Sequence, residues 1–321
     1  MVTLDVLGHA CQLGELLGAG GMGQVFAAEH PRLGRIAVKV LPPTLVEKSV
    51  PGRVRDEAGM GARVHHPNVV RILDHGVTHE DVPFVAMECV SGVSLGGLVR
   101  RMGPLSLVRI RTIAVQLLAG LAAIHREGLV HADLKSDNIL IDPDTDHITI
   151  IDFGLARPSK TMLREDDQII SGTPEYMAPE LIRGATITAA ADVYAVGVIL
   201  YELLTGTTPF GGGSTDEIFT RHLEDDVVPP SLRCPDRTIP AALEVAILAA
   251  LAKDPSARPH DSRAFARAVS SAIPTTIDHE LSFQRAFSTT GPTRRWTRTR
   301  GLERAAPRPL DSEQSTSQHA V

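Results

Sequence analysis

The chain has 321 residues, 43% of them hydrophobic, and a formal net charge of −6. That supplies a sizeable core and excludes global disorder; the length is too great for one simple domain and fits one two-lobed domain with a tail. The acidic balance gives no reason to expect nucleic acid, no apolar run reaches the ~18 residues of a membrane span, and no leader pattern opens the chain.

Cysteines Cys11, Cys89 and Cys234 are isolated, without CxxC spacing. They point to a reducing, cytoplasmic compartment and away from a zinc site or disulfide frame. Residues Gln12 to Val25 read QLGELLGAGGMGQV, in which Gly18, Gly20 and Gly23 form GxGxxG. A dinucleotide-binding loop should open a helix. Here a strand-like run, Gln24 to Glu29, follows instead, and after a turn comes another, Ile36 to Leu41. Strand, glycine loop, strand lets backbone N–H groups approach phosphates without Cβ clashes, although an ordinary glycine hairpin fits the loop equally well. Lys39 is a single cation in an apolar strand and needs a partner.

A helix is expected from about Val54 to Val64, where Gly59 and Gly61 each cost roughly 1 kcal/mol relative to alanine. His65 and His66, before Pro67, read as a helix end rather than metal ligands. Val69 to His75 and Val82 to Glu88 are two further strands. Ile110, Ile113, Ala114, Leu117, Leu118, Leu121 and Ile124 recur at helical spacing, which predicts a core-facing helix from Leu105 to Arg126 stopped by Gly128. The stretch HADLKSDNIL, His131 to Leu140, then puts an acid (Asp133), a base (Lys135) and an amide (Asn138) in one short loop. Asp152-Phe153-Gly154 adds a second metal-type acid. This set suits a hydroxyl that loses a proton beside a metal-bound phosphate. Any one of these residues alone would be a turn or capping residue. Asp192 to Thr205 is an apolar helix, and Ala241 to Ala252 and Ser262 to Ile273 are the last two. From Pro274 to Val321 the chain is rich in threonine, serine, arginine and proline, with four arginines around Trp296. That composition predicts a disordered, solvated basic tail.

In order and spacing these parts resemble the eukaryotic-like (Hanks-type) serine/threonine protein kinases of bacteria, over roughly residues 10 to 273. The resemblance implies an α+β, two-lobed fold. A small antiparallel β lobe with one regulatory helix would span about 10–88, and a larger α-helical lobe about 91–273, leaving 274–321 as the tail. It also implies transfer of the γ-phosphoryl group of ATP, with Mg2+ or else Mn2+, to serine and threonine hydroxyls of proteins, this chain included. Asp133 would act as base or orienter of the hydroxyl, Lys135 would steady charge on the phosphoryl group, and Thr173 would seat the acceptor. Asn138 and Asp152 would hold the metal. Lys39 would touch the α and β phosphates and pair with Glu57. Leu17, Gly18, Gly20, Gly23, Val25, Ala37, Met87 and Leu140 would surround the nucleotide, with the hinge backbone from Glu88 to Val90 bonding adenine. Asp192 would brace the catalytic loop, and Glu180 of GTPEYMAPE would pair with Arg258.

Two positions depart from the family's pattern. Gly61 stands where a large apolar side chain is usual, which implies a loose helix whose Lys39–Glu57 pair completes only with ATP or a partner. Ala132 replaces the arginine that normally binds a phosphate on the activation segment, so activity is expected without that phosphate. A nucleotide-binding pseudokinase scaffold and a small-molecule phosphotransferase are the rival readings. The four intact residues Lys39, Asp133, Asn138 and Asp152 weigh against the first, and GTPEYMAPE against the second. The partners implied are ATP and protein substrates, with a homodimer left open and a soluble kinase expected.

Overall fold

The computed structural model describes residues 3–20, 23–41, 59–78, 82–152, 157–159, 161 and 173–273. Glu57, Phe153, the acidic cluster Glu165-Asp166-Asp167 and the tail from Pro274 lie outside these residues.

Six strands build the small lobe: β1 (Thr3–Val6), β2 (His9–Gly20), β3 (Gly23–His30), β4 (Gly34–Val40), β5 (Ile72–Val77) and β6 (Pro83–Glu88). Their order is β1-β2-β3-β4-β6-β5, with every pairing antiparallel. Directly paired residues share a face of a sheet. Val25, Lys39 and Val85 therefore sit on one side together with Ala27, Ala37 and Met87. The opposite side carries Ala28, Ile36, Val38, Phe84 and Ala86, which pack with Leu4, Val6 and Cys11 as a separate core. β1 is an addition to the expected elements. Its residues alternate exposed and buried, and Leu4 and Val6 cover an apolar sheet face that would otherwise meet water.

One expected strand is displaced, from Val69–His75 to Ile72–Val77. The N–H of Val70 donates to the Ile150 carbonyl at 2.9 Å, and the N–H of Ile150 to that of Asn68 at 2.9 Å. Residues 68–70 are thus committed to the large lobe, and the sheet strand begins later. Residues 59–61 are helical, and a Cβ at Gly59 would stand 3.3 Å from Nε2 of His75. That glycine lets the helix approach β5, a packing role that helix propensity alone does not reveal.

The large lobe contains α1 (Leu95–Met102), α2 (Leu107–Arg126), α3 (Pro179–Ile182), α4 (Ala189–Thr205), α5 (Thr215–Glu224), α6 (Pro230–Arg233), α7 (Ala241–Ala250) and α8 (Ser262–Ala272). Short strands β7 (Val93–Ser94), β9 (Ile139–Ile141) and β10 (Ile148–Ile150) form one small sheet, and β8 (Leu129–Val130) pairs with β11 (Arg157–Pro158). α2 is capped by the Ser106 hydroxyl, which accepts from the N–H of Arg109. Among the described helices it alone is long and apolar enough to cross a membrane, yet 67% of that window is buried inside the fold, as in a core helix. α4 is buried from Ala191 to Leu204 and is the column on which α2, α6 and α7 rest.

His222 on α5 is fully buried beside α4, with Nδ1 2.7 Å from the Tyr194 hydroxyl and its ring 4.9 Å from that of Phe210. Burial and the nearby Lys253 ammonium pull its pKa from 6.5 down to about 4. Between those values the unfolded chain takes up a proton that the folded chain refuses. Stability is therefore full above pH 6.5 and is lost as pH falls towards 4, by up to about 3 kcal/mol from this one group. In denaturant titrations across that window, His222→Gln should show a shallower pH dependence than the wild type. Equal slopes would remove His222 as the cause.

Candidate active site

The catalytic loop is held from below by one carboxylate. Asp192, 1% exposed near the start of α4, accepts the N–H of His131 through Oδ2 and that of Ala132 through Oδ1, both at 2.9 Å. His125, near the end of α2, sits 2.7 Å from Oδ2. Burial alone would raise the pKa of Asp192, but His125 and the backbone donors outweigh it and hold the group below the ordinary carboxylate value. The brace fixes a backbone that departs from ordinary geometry, with φ of +62° at Ala132. A non-glycine residue in that region costs energy and persists only where its surroundings dictate it.

From this anchor the loop brings together Asp133, Lys135, Asn138 and Thr173. Lys135 Nζ donates to the Thr173 hydroxyl at 2.8 Å, and the Thr173 N–H to Asp133 Oδ1 at 3.3 Å. The side-chain amide of Asn138 donates to the Asp133 carbonyl at 2.9 Å. Burial raises the pKa of the Asp133 carboxyl, opposed by the charges of Lys135 and His131. A small recess of about 10 Å³ beside Asp133 and Thr173 is walled by Tyr176, Met177, Ala178 and Leu181.

The hairpin of β9 and β10 delivers the second acid. Its register pairs Ile139 with Ile150, so the residues just outside it, Asn138 and Ile151, also face each other, and the Ile151 N–H donates to the Asn138 carbonyl at 2.9 Å. Asp152 follows at once, with φ of +61°. Its carboxylate pairs with Lys39, which is 3% exposed on β4 in the middle of the small-lobe sheet. Asp152 is thus the partner described for Lys39; Glu57 lies outside the described residues.

The residues expected on the nucleotide side come from both lobes. Val25, Ala37 and Met87 share its sheet face. Leu140, half-buried on β9, pairs with Ser94 and Thr149. Leu17, Gly18 and Gly20 are exposed on the last stretch of β2. A Cβ on Gly18 or Gly20 would meet nothing within 4 Å, whereas at Gly23, with φ of +125°, it would run into the Val40 carbonyl. Gly23 is required by the fold; the other two leave open space above the sheet. At the hinge, the Glu88 N–H is already spent on the Arg71 carbonyl at 3.0 Å.

Three supporting features were not anticipated. Tyr176 donates its hydroxyl to Glu202 Oε2 at 2.8 Å and meets the Ser136 hydroxyl at 2.9 Å, which joins the segment that carries Thr173 to α4 and to the loop of Asp133. Burial raises the pKa of Glu202, a single acid in an otherwise apolar run, and that isolation was the available signal. Gly96 lies so close to the loop that a Cβ would stand 2.6 Å from the Ser136 hydroxyl and 2.7 Å from an Asp137 carboxylate oxygen. Beside it, Ser94 and Arg100 both bond Asp137, at 3.0 and 2.8 Å. The anticipated Glu180–Arg258 pair is present and bidentate, at 2.7 and 2.8 Å. The remaining Arg258 donors are taken by the carbonyls of Ala190, Ala252 and Lys253. No donor is left over, so the pair reads as structural.

The protein kinase domain family matches residues 11–269. The chain belongs to the protein kinase family. Among curated proteins, this kinase is 40% identical over 263 residues to the serine/threonine-protein kinase pkn3 of Myxococcus xanthus, covering 78% of this chain and 47% of that one. It is 38% identical over 265 residues to the serine/threonine-protein kinase PknB of Mycolicibacterium smegmatis, covering 80% and 42%. The chain thus spans less than half the length of these relatives. With them it falls among the Hanks-type bacterial serine/threonine kinase domains.

Replacing Asp192 by asparagine turns an amide NH2 towards backbone N–H groups that need an acceptor. In this kinase Asp192→Asn should cost about 2–4 kcal/mol of stability and lower phosphoryl transfer at temperatures where the variant is still folded. Wild-type melting and activity in the variant would show that the loop is held by something else.

Proposed function

We propose that the chain transfers the γ-phosphoryl group of ATP, with Mg2+, to serine and threonine hydroxyls of protein substrates and of itself, as part of signal transduction. The observation that carries this reading is the convergence of Asp133, Lys135, Asn138 and Thr173 in one hydrogen-bonded cluster, next to the buried Lys39–Asp152 pair.

The donor set fits a magnesium nucleotide. Mg2+ characteristically takes only one or two protein ligands and fills its octahedron with phosphate oxygens and water. Asn138 and Asp152 suffice for that, and among the described residues no cluster of three acidic, histidine or cysteine ligands offers a self-contained metal cage. When bound, the ion neutralises charge on the transferring phosphates. Lys39, buried and already facing a carboxylate, has the position to hold phosphate oxygens between β4 and the hairpin. Gly18 and Gly20 leave room for backbone donors to close over them, and Val90 remains a hinge donor for adenine. Asp133 orients the acceptor hydroxyl and receives its proton, its burial making it a better base than an exposed aspartate. Lys135 bridges towards Thr173 and steadies negative charge at the acceptor side. The GTPEYMAPE segment, Gly172 to Glu180, supports a protein acceptor over a small molecule.

The same reading proposes one kinase domain over about 10–273 and a separate role for 274–321. The curated relatives are named as serine/threonine-protein kinases, which supports the acceptor class. With labelled ATP and a generic basic protein, Asp133→Asn should lower labelling by a factor of at least about 1000 while retaining ATP binding. Label in neither protein, with ATP bound by both, would favour the pseudokinase scaffold. Because Ala132 carries no donor for a phosphate, phosphatase-treated enzyme should keep its initial rate. Loss of activity that rephosphorylation at Thr161 restores would refute that independence.

A further inference from the structure

His222 is a fully buried titratable group that the proposed transfer leaves without a role. The helix that carries it, α5, packs against residues 174–176 and against α3. Neighbours from other elements hold the ring and its backbone. The Tyr194 hydroxyl of α4 lies 2.7 Å from Nδ1, and the Phe210 ring is centred 4.9 Å away. The Lys253 ammonium donates to the carbonyls of Arg221 and His222 at 3.1 and 2.8 Å and stands 4.2 Å over the Phe210 ring. Lys253 thereby closes the last turn of α5 and fixes where His222 stands.

These contacts set the tautomer. Tyr194 is fully buried, and among the described residues its hydroxyl bonds only Nδ1. A buried phenol needs an acceptor for its proton, so Nδ1 accepts and the ring proton sits on Nε2. Burial keeps the ring neutral. The Nε2–H is then a buried donor, and among the described residues it has no hydrogen-bond partner. Such a donor is costly to leave unpaired. The Glu175 backbone acts on the ring as a facing carbonyl does, favouring an N–H, yet it stands outside full hydrogen-bond distance. Glu175 lies between Thr173, which bonds Asp133 and Lys135, and Tyr176, which bonds Glu202 and Ser136. The segment is thus tied to the catalytic loop and to α4, while its bond to α5 is one small movement short of complete.

We infer that His222 is a positioning residue for the protein acceptor: with an acceptor seated beside Thr173, residues 174–176 close on α5 and the Glu175 carbonyl takes the Nε2–H. The role rests on the protein-acceptor reading proposed above. A hydrogen bond made only in the seated complex strengthens acceptor binding and leaves ATP binding as it was.

The test is steady-state transfer from labelled ATP by the full chain to a basic serine peptide, with the two KM values read separately. His222→Asn keeps an acceptor near the Nδ1 position for Tyr194 but places no group near Nε2, whereas His222→Gln keeps a donor there. His222→Asn should raise KM for the peptide about tenfold and move KM for ATP by less than about twofold. His222→Gln should bring the peptide KM back to within about threefold of the wild type. Equal changes in the two KM values, or equal losses in both variants, would make His222 a packing residue and overturn the inference. Should His222→Asn not fold, nitrogen NMR of the wild-type ring decides. Nε2 should carry the proton in the free enzyme, and that proton should move downfield when the peptide and a non-hydrolysable ATP analogue are added. A proton on Nδ1, or an Nε2–H unmoved at saturating peptide, refutes the role. Transfer by the wild type is the control on the reaction itself. A wild type that labels nothing counts against the proposed function, and the ring tautomer still decides His222.

Discussion

A single buried carboxylate organises this kinase domain. Asp192 holds two consecutive N–H groups of the catalytic loop and the ring of His125, so one side chain ties α4, α2 and the loop together. The backbone it grips is unfavourable by itself, because Ala132 lies in the left-handed region. That geometry turns Asp133 towards Thr173 while the main chain runs on into the turn that carries Asn138. Without the carboxylate, the loop would lose both its hydrogen bonds and the reason for its shape.

A second constraint spans the two lobes. Lys39 sits in the middle of the small-lobe sheet, where an unpaired ammonium would be costly. Its partner Asp152 comes from the large lobe, at the end of a hairpin whose register also fixes Asn138. The parallel bridge between Val69 and Ile150 runs beside it. The alignment of the lobes near the cleft thus depends on a few backbone bonds around residues 68–70 and 150–152 together with one buried ion pair. The same pair satisfies a cation that would otherwise stand alone inside the small-lobe sheet.

Closeness of approach recurs as a design element. Gly59 admits His75, Gly96 admits Ser136 and Asp137, and Gly23 clears the Val40 carbonyl. All three contacts join different elements of the chain, and only one of the three glycines belongs to the GxGxxG motif. Gly59 first reads as a weakness in a helix because propensity describes an isolated helix, whereas here the His75 side chain from β5 packs so close that a methyl group would make a tight contact.

Local chemistry made much of the kinase legible. Asp133, Lys135 and Asn138 stand within one loop, so their spacing is visible in sequence. The long helices of the large lobe follow from 3.6-residue periodicity, and the bounds expected for α2 and α4 differ from those found only at their ends. The link from Asp192 to the loop and the Glu180–Arg258 pair followed from the family pattern, and their hydrogen bonds then appear in the fold. What sequence did not reveal depends on partners from distant segments. Examples are the outer-face cover by Leu4 and Val6, the Arg71 carbonyl that takes the Glu88 N–H, and the Tyr176–Glu202–Ser136 chain. Periodicity and spacing record which face of an element is apolar and which reactive groups lie close along the chain. They hold no information on which distant donor meets which acceptor, because that is decided by strand register and helix packing when the lobes close.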